Sequence, residues 1–347
     1  MVKESFADIL QEKKRLQEAL PHFKKGRFFN PHIHDSKRRL WNIFLWQLGY
    51  YNDTAKLAAP PKGFSYPQDE LHKTSECSVQ WINHSTFLIQ VDGIHILTDP
   101  IWSKRASPIA FVGPKRKIAP GLALASLPRI DYVFISHNHY DHLDSKAIKQ
   151  LIHTNPKIVF CVPLGLKKWF LKRGATRLIE LDWWESVQFH HTDDFQITFT
   201  SVPAQHFSGR RLMDKDKTLW CGWVGEFVLK KKNALHKRLY FAGDTGYNPI
   251  DFRQIGDQFG AIDLSIIPIG SYVPKKFMAP VHIGPEEAVL IHQDVHSKLS
   301  VASHFGTFRL SEEPTARPAY DLYETLVRTG ISHKHFRVPK PGNVIYW

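Results

Sequence analysis

The feature that most constrains this 347-residue chain is the segment at 136–144, whose sequence is SHNHYDHLD. It places three histidines and one aspartate within six residues, namely His137, His139, Asp141 and His142. The apolar run at 132–135 is rich in aromatic and β-branched residues and predicts a buried strand. Imidazole and carboxylate groups at this density, at the end of a strand, favour zinc or a related transition metal. The alternative is a solvated histidine-rich loop, but H-x-H-x-D-H is expected by chance in only roughly a few per thousand such chains. The segment therefore predicts a metal site.

One loop cannot complete a site for two metal ions, so further ligands must come from other strand ends. Three later predicted strands each lead to one candidate, and these are His206, Asp244 and His304. Glycine lies close to each of them and lets the backbone turn sharply. Taken alone, His206 or His304 would more often be an ordinary core or surface histidine. Their order after the first motif favours metal ligands.

The order of these residues resembles the metallo-β-lactamase superfamily of dinuclear hydrolases. The resemblance implies that one metal is held by His137, His139 and His206, and the other by Asp141, His142 and His304. Asp244 would bridge the two. It further implies two zinc ions, with iron or manganese as alternatives, and the four-layer αββα sandwich of that family.

Other segments resemble one branch, the N-acylphosphatidylethanolamine-hydrolysing phospholipases D. They lie at 81–84, 97–100, 105–108, 113–116, 162–165, 180–184, 212–214, 241–247, 267–270, 285–288 and 304–308. The chain departs from the branch at Asn83, Ser85, Val273 and Lys276. The resemblance implies zinc-dependent hydrolysis of N-acylphosphatidylethanolamine-like phospholipids to N-acylethanolamine and phosphatidic acid. A hydroxide shared by the two metals would be the nucleophile.

Three further residues are assigned to this chemistry. Tyr140 and His282 match positions of the branch that lie close to substrate, and the resemblance implies that they act with Asp141. Either could orient a phosphate oxygen or protonate the leaving group, although as isolated residues both would more often be structural. Asp99 follows a predicted strand at 94–98 and is expected to accept an N–H from a ligand histidine. The alternative for Asp99 is a carboxylate that caps the following turn.

The pattern from residue 77 onward alternates strands and helices. Strands are predicted near 77–82, 86–91, 94–98, 132–136, 157–162, 195–202, 219–229, 238–242, 263–268 and 299–303. Helices are predicted near 145–153, 164–173, 285–296 and 316–329. Two strand-rich halves with outer helices indicate an α/β fold and fit the four-layer sandwich. We expect residues 1–75 to form an N-terminal helical extension packed on the core, and residues 76–347 to form the hydrolase domain.

The composition and the cysteines indicate the cellular compartment of the protein. The chain is 43% hydrophobic and can bury a large core. Cys77, Cys161 and Cys221 lie in apolar surroundings and are expected to be buried, reduced thiols, which favours a cytoplasmic location over a disulfide framework. The N-terminal sequence is charged throughout, so no signal peptide is expected. No run reaches the roughly eighteen apolar residues of a spanning helix.

The net charge of +13 favours anionic partners. An aromatic run at 41–51 follows three basic residues at 37–39 and predicts peripheral contact with an anionic membrane surface. A helix packed on the core is an equally good interpretation of that run. No nucleic-acid-binding signature is present, so we expect a phospholipid substrate and no nucleic acid, with a homodimer left open.

Two other functions remain open at this point. A hydrolase of the same fold that acts on a soluble ester, lactone or cyclic phosphate would use the same ligands. A non-catalytic binding module would explain the charge but would leave seven convergent ligands without a use. A serine hydrolase is disfavoured because the chain has no G-x-S-x-G motif.

Overall fold

Two seven-stranded sheets form the centre of the molecule. The structure is a computed structural model that describes residues 21–33, 57–68, 75, 77–192, 194–211, 213–229 and 236–347. In spatial order the first sheet contains β16 (Val344–Tyr346), β3 (Ser78–Asn83), β4 (Thr86–Val91), β5 (Ile94–Thr98), β6 (Tyr132–Phe134), β7 (Val159–Pro163) and β8 (Leu178–Leu181). The second contains β15 (Phe336–Arg337), β14 (Ser300–Ser303), β13 (Leu264–Pro268), β12 (His236–Phe241), β11 (Gly222–Leu229), β10 (Phe195–Val202) and β9 (Ser186–Thr192). A small hairpin of β1 (Phe23–Lys24) and β2 (Arg27–Phe28) precedes them.

Both sheets have the same mixture of strand directions. In the first sheet β16 to β5 pair antiparallel and β5 to β8 pair parallel. In the second sheet β9 to β12 pair antiparallel and β12 to β15 pair parallel. Strands β3, β5 and β6 therefore run in one common direction, and so do β10, β12 and β14. The carboxyl ends of each set meet at one edge of their sheet.

Helices cover the outer faces of both sheets. They are α1 (Ser145–Thr154), α2 (Lys167–Leu171), α3 (Pro249–Phe259), α4 (Lys275–Met278), α5 (Pro285–Asp294) and α6 (Arg317–Thr329). Helices α1 and α2 pack on the first sheet, and α3, α5 and α6 pack on the second. This order of helix, sheet, sheet and helix confirms the predicted αββα sandwich. Within the described ranges, no helix is long and apolar enough to cross a membrane.

The layered packing explains why several strands are continuously apolar. In β6, Val133 belongs to the core beneath α1, while Phe134 belongs to the core between the sheets. Phe134 stacks on Trp223 of the opposite sheet with ring centroids 5.3 Å apart. Because both faces of such a strand are buried, alternation with polar residues is lost.

The sequence-based prediction missed α3, although local signals for it exist. The Asn248 side chain accepts from the Asp251 N–H at 2.9 Å, and Pro249 occupies the first helical position. Phe252, Ile255 and Phe259 are buried along one helical face. The predicted helix at 164–173 was too long, since only 167–171 is α-helical. The edge strands β8, β9, β15 and β16 were also missed, because short or half-exposed strands carry a weak pattern.

The described parts of the N-terminal segment lie on the core. Asn30 donates to the backbone carbonyl of His206 at 2.7 Å and accepts from the Trp220 indole at 3.0 Å. His22 pairs with Asp182 at 2.8 Å. The predicted helix at the start of the chain and the aromatic run at 41–51 lie outside the described residues. The division at residue 75 and the membrane contact of that run therefore stay predictions.

The three cysteines are buried and form no disulfide. Cys77, Cys161 and Cys221 are each 1% exposed or less. This confirms the predicted buried thiols. It also leaves the native chain without an accessible cysteine.

Removal of the α3 cap provides a test of this packing. Asn248→Ala should lower the free energy of unfolding by about 1 kcal/mol, because the first turn of α3 loses its side-chain acceptor. Urea denaturation followed by circular dichroism would measure the loss. Asn248→Ser, which keeps an acceptor at the cap, is the matched control and should lose less. Equal stability of the alanine variant and the parent would contradict the assignment.

Candidate metal centre

Strand ends from both sheets converge on one cluster of buried histidines and aspartates. The turn after β3 carries His84, and the loops after β5 and β6 carry Asp99 and the segment 137–142. The second sheet contributes the three remaining residues predicted from sequence, which follow β10, β12 and β14: His206, Asp244 and His304. All six strands present their carboxyl ends, so the direction shared by the strands of each sheet places these side chains together.

The first group of ligand atoms contains three histidines. His137 Nε2 lies 2.8 Å from His139 Nδ1, which lies 3.2 Å from His206 Nε2. The other ring nitrogen of His206 contacts the Val281 carbonyl at 2.8 Å, and that contact orients the ring. Their ligand atoms all lie within 4.8 Å of one another. Three imidazole nitrogens in this arrangement suit zinc.

The second group is built around Asp141. The Asp141 Oδ2 atom lies 3.3 Å from His142 Nε2 and 3.5 Å from His304 Nε2. A third histidine, His84, approaches the same oxygen at 3.0 Å. The ligand atoms of these four residues also lie within 4.8 Å of one another.

The carboxylate of Asp244 lies between the two groups. Its Oδ2 atom is 3.8 Å from His206 Nε2 in the first group and 3.1 Å from His304 Nε2 in the second. It is also 3.2 Å from His142 Nε2. One oxygen therefore reaches nitrogens of both groups, as a bridging carboxylate would.

The residues present fit a pair of cations. Among the described residues, several buried polar atoms of the cluster make no hydrogen bond, including His142 Nε2, His304 Nε2 and Asp244 Oδ1. Buried polar atoms without partners are costly, and a metal ion at this place would satisfy them. Imidazole and carboxylate donors are the set expected for zinc, iron or manganese.

Asp99 lies where the sequence predicted, behind His142, one of the predicted metal ligands. Its Oδ2 atom is 2.6 Å from His142 Nδ1 and accepts from the Ser136 hydroxyl at 2.6 Å. Its Oδ1 atom accepts from the Ser136 N–H at 2.8 Å. Such a partner fixes the ring orientation and tautomer of a ligand histidine.

The two residues predicted to contact substrate, His282 and Tyr140, have different surroundings in the structure. His282 Nδ1 lies 3.9 Å from Asp244 Oδ2, and its ring lies 5.0 Å from that of His206. His282 also lines a cavity of about 540 Å³. Tyr140 instead donates its hydroxyl to the Arg210 carbonyl at 3.1 Å. A role for Tyr140 at a phosphate therefore stays a prediction.

Sequence reasoning missed a role for His84. Its side chain is 1% exposed, and its ring lies 4.1 Å from that of His304 between centroids. The backbone of His84 has φ +48°, in the left-handed region that non-glycine residues rarely adopt. Asp99 and His304 also have positive φ, at 32° and 56°. Backbone strain of this kind clusters at functional sites, but no sequence motif reveals it.

Arg210 has a second role that the sequence did not reveal. Its guanidinium donates to the carbonyls of Asn138 and Leu143, both at 2.8 Å, and lies 3.9 Å from the Tyr140 ring centroid. Arg210 therefore braces the loop that carries the first ligands.

The electrostatics divide the histidines into two classes. Burial lowers the pKa of His139 to about 4 and the pKa of His282 to about 3. Burial, reinforced by neighbouring histidines, also holds the pKa values of His137 and His206 well below the usual range. The first group therefore offers neutral imidazoles, the form that coordinates metal.

In the second group, the neighbouring carboxylates raise the pKa values of the histidines. Burial opposes the charged form of His304, but Asp244 and Asp141 outweigh it and raise the pKa of His304 to about 9. The same carboxylates, with Asp99, raise the pKa of His142 well above its usual value despite burial. Without metal, these two rings hold protons in the place where a cation would bind.

Comparison with known proteins identifies relatives. Residues 95–305 match the model of the beta-lactamase superfamily domain. The N-acyl-phosphatidylethanolamine-hydrolyzing phospholipase D 1 of Caenorhabditis elegans is 41% identical over 69% of this chain and 67% of its own length. An uncharacterised protein of Mycobacterium bovis is 37% identical over 94% of this chain and 84% of its own length.

A solved structure has the same fold. A metallo hydrolase from the hyperthermophilic archaeon Ignicoccus hospitalis superposes with a TM-score of 0.54 at 20% identity. The match covers 78% of this chain and 98% of that structure. At this identity the likeness concerns the fold.

Metal uptake should release protons. At pH 7 the metal-free chain holds protons on His142 and His304, which must leave before these rings coordinate, so about two protons per chain should be released. Because protons compete below the raised pKa values, apparent affinity should rise as pH rises towards 9. Zinc calorimetry in buffers of different ionisation enthalpy measures the release. His304→Ala should release fewer protons, and heats that do not depend on the buffer would contradict the prediction.

Loss of His84 should weaken metal binding without removing a predicted ligand. We expect His84→Ala to lower zinc affinity about 10- to 100-fold, because Asp141 loses a partner that orients its carboxylate. Competition with a chromophoric chelator measures this affinity. His84→Gln, which keeps a donor near the same place, should recover part of it. The control is His22→Ala, which removes a buried, paired histidine away from the cluster. Equal losses in both alanine variants would mean that His84 acts only through stability.

Proposed function

The chain belongs to the β-lactamase superfamily and is a metallo-hydrolase, and we propose that it cleaves the phosphodiester of N-acylphosphatidylethanolamine-like phospholipids. The products would be N-acylethanolamine and phosphatidic acid. We propose zinc as the metal, with two ions per chain held by the seven residues predicted from sequence. The substrate class is supported by the 41% identity to a relative with that name in Caenorhabditis elegans.

The proposal depends mainly on the position of Asp244 between the two groups of candidate ligands. Asp244 Oδ2 lies within 4.0 Å of ring nitrogens from both ligand groups. The groups are thus close enough for two cations to share one carboxylate, and sites with two metals suit the in-line displacement at a phosphodiester. His282 lies 3.9 Å from Asp244 of this centre and also lines the 540 Å³ cavity.

The protein's own residues would prepare the site for a charged substrate. Two divalent cations would supply Lewis-acid activation of water and of the phosphoryl oxygens when bound. Asp141 and Asp244 provide the negative charge that holds the cations, since both carboxyl pKa values lie well below the usual range beside the histidines. Asp99 keeps the His142 ring in its coordinating orientation. His282 is neutral at pH 7 and can donate one N–H to a phosphate oxygen without adding charge.

The reaction consumes one water. Its oxygen forms a bond to phosphorus, and the bond from phosphorus to the ethanolamine oxygen breaks. The leaving oxygen takes a proton and departs as N-acylethanolamine. Phosphatidic acid retains the oxygen that came from water.

The cavity beside His282 could receive part of such a lipid. Its wall contains apolar and aromatic side chains, including Val273, Tyr320 and Pro285. Several charged side chains in the wall are paired with each other, as Lys275 is with Glu287 at 2.9 Å and Arg317 with Asp321 at 2.6 Å. Since the substrate would reside in a bilayer, we propose that the protein works peripherally at an anionic membrane surface from the cytoplasmic side.

Isotope labelling tests the bond that is cleaved. Hydrolysis of N-acylphosphatidylethanolamine in oxygen-18 water should place the label on phosphatidic acid, because water attacks phosphorus. Mass spectrometry of the lipid products measures it. Label on a released fatty acid would demonstrate ester cleavage instead, and absence of turnover would reject the substrate class.

A pair of variants controls this assay. Asp244→Ala should lower turnover by more than about a hundredfold, because two cations without a shared carboxylate repel each other across the site. Asp257→Ala removes an exposed aspartate from α3 and should retain full turnover. Activity that survives Asp244→Ala would place the chemistry elsewhere.

A further inference from the structure

An exposed apolar tip projects from the loop between β5 and β6. Residues 108–113 have the sequence PIAFVG, and all six are exposed. The three large side chains, Ile109, Phe111 and Val112, are 45%, 79% and 51% exposed. Contiguous apolar side chains in water are unfavourable and commonly mark an interaction surface.

The base of this loop is braced so that the tip faces outward. The Ala106 N–H donates to the Pro114 carbonyl at 3.1 Å, and the Arg116 N–H donates to the Lys104 carbonyl at 2.9 Å. The Arg116 side chain reaches the Ile101 carbonyl at 3.0 Å. The main chains of Arg105 and Lys115 also pair as an antiparallel bridge. The tip is therefore the end of a structured hairpin rather than a segment that could fold back on the core.

Positively charged residues flank the tip on both sides in the sequence. Between residues 100 and 130 the chain has six lysines and arginines and no aspartate or glutamate. We call the four beside the tip the basic collar: Lys104, Arg105, Lys115 and Lys117. Apolar side chains flanked by cations match the interfacial region of an anionic bilayer, where acyl chains lie beneath phosphates.

The tip lies on the side of the molecule that carries the first ligand loop. Ser107 and Pro108 line a pocket of about 150 Å³ together with Tyr140 and Arg210. The loop that carries Arg210 also carries Met213, which is 77% exposed. Two loops that border Tyr140 therefore each present an apolar side chain to solvent.

We propose that residues 108–113 insert into the headgroup region of an anionic phospholipid membrane while the basic collar contacts lipid phosphates. This inference rests on the proposed function, because it assigns the surface through which the enzyme would meet its lipid. A second copy of the chain is a poorer partner for the tip than a membrane, because it would bring an identical basic collar of the same charge against the first. Residues 108–113 are a different segment of the sequence from the aromatic run at 41–51.

A single dye reports directly on the tip. All three native cysteines are buried, so Phe111→Cys introduces the one accessible thiol for a polarity-sensitive fluorophore. The labelled full chain is mixed with vesicles of phosphatidylcholine and phosphatidylglycerol that contain no N-acylated lipid. Emission should shift to the blue, and brominated lipids should quench it. The shift should decrease as salt rises, since the collar is screened.

The matched control carries the dye on α6, a helix that packs on the second sheet. Val327 on α6 is 64% exposed and apolar, so Val327→Cys labels a comparable side chain away from the tip. Its emission should not change with vesicles. Equal changes at both positions, or none at Phe111, would overturn the inference. An equal shift on vesicles of phosphatidylcholine alone would overturn the role of the collar.

Binding by an unlabelled variant completes the test. Phe111→Ser should raise the lipid concentration for half-maximal sedimentation about tenfold, while Val327→Ser leaves it unchanged. If Phe111→Ser instead changes the molecular mass in solution and leaves sedimentation unaltered, the tip joins copies of the chain and the proposal is wrong.

The two proposals fail separately. Insertion is measured on vesicles without substrate, so a chain that inserts but does not hydrolyse N-acylphosphatidylethanolamine loses only the proposed function. If the protein hydrolyses this lipid while the dye at position 111 stays in water, only the insertion proposal is wrong.

Discussion

The contact between Asp244 and His142 is the interaction on which the rest of the site depends. It joins a residue after β12 of the second sheet to a residue after β6 of the first, at 3.2 Å. A carboxylate that is 3% exposed is stable only with cationic partners, either protonated imidazoles or bound metal. The site can therefore form only if the two sheets pack in one register. The stacking of Phe134 on Trp223 between the sheets supplies that register from the apolar side.

Around this contact, both uncharged and charged groups hold the candidate metal ligands in place. Asp99 and the Val281 carbonyl orient two ligand rings from behind. His84 approaches Asp141 from the first sheet, and Arg210 braces the loop from the second. The neutral histidines form one half of the centre and the carboxylate-rich residues form the other. This division distributes the cost of burying so many titratable groups, because each buried charge has a partner of opposite sign.

The proposed chemistry and the proposed lipid contact would use different parts of the fold. The candidate ligands follow buried strand ends, whereas the exposed tip belongs to a long loop between two of the same strands. The loop can vary in sequence without disturbing the ligands, since its base is held by backbone hydrogen bonds and by Arg116. His282 links the centre to a cavity whose wall comes from other elements, α5 and α6 among them. A scaffold arranged in this way can keep one reaction centre while substrate preference changes.

The sequence by itself determined the fold class, most of the strands and most of the residues that meet at the centre. Strands buried on both faces, such as β6 and β7, are continuously apolar, and each group of candidate ligands begins within four residues of a strand end, so both signals are local. Only the tertiary structure decided that His84 reaches Asp141 across 57 positions of the chain, and that the Tyr140 hydroxyl contacts Arg210. It also decided that the apolar residues 108–113 face solvent, although their composition alone would suit a core strand. The physical reason is that contact and exposure depend on how two sheets pack, whereas composition and spacing report only on neighbours along the chain.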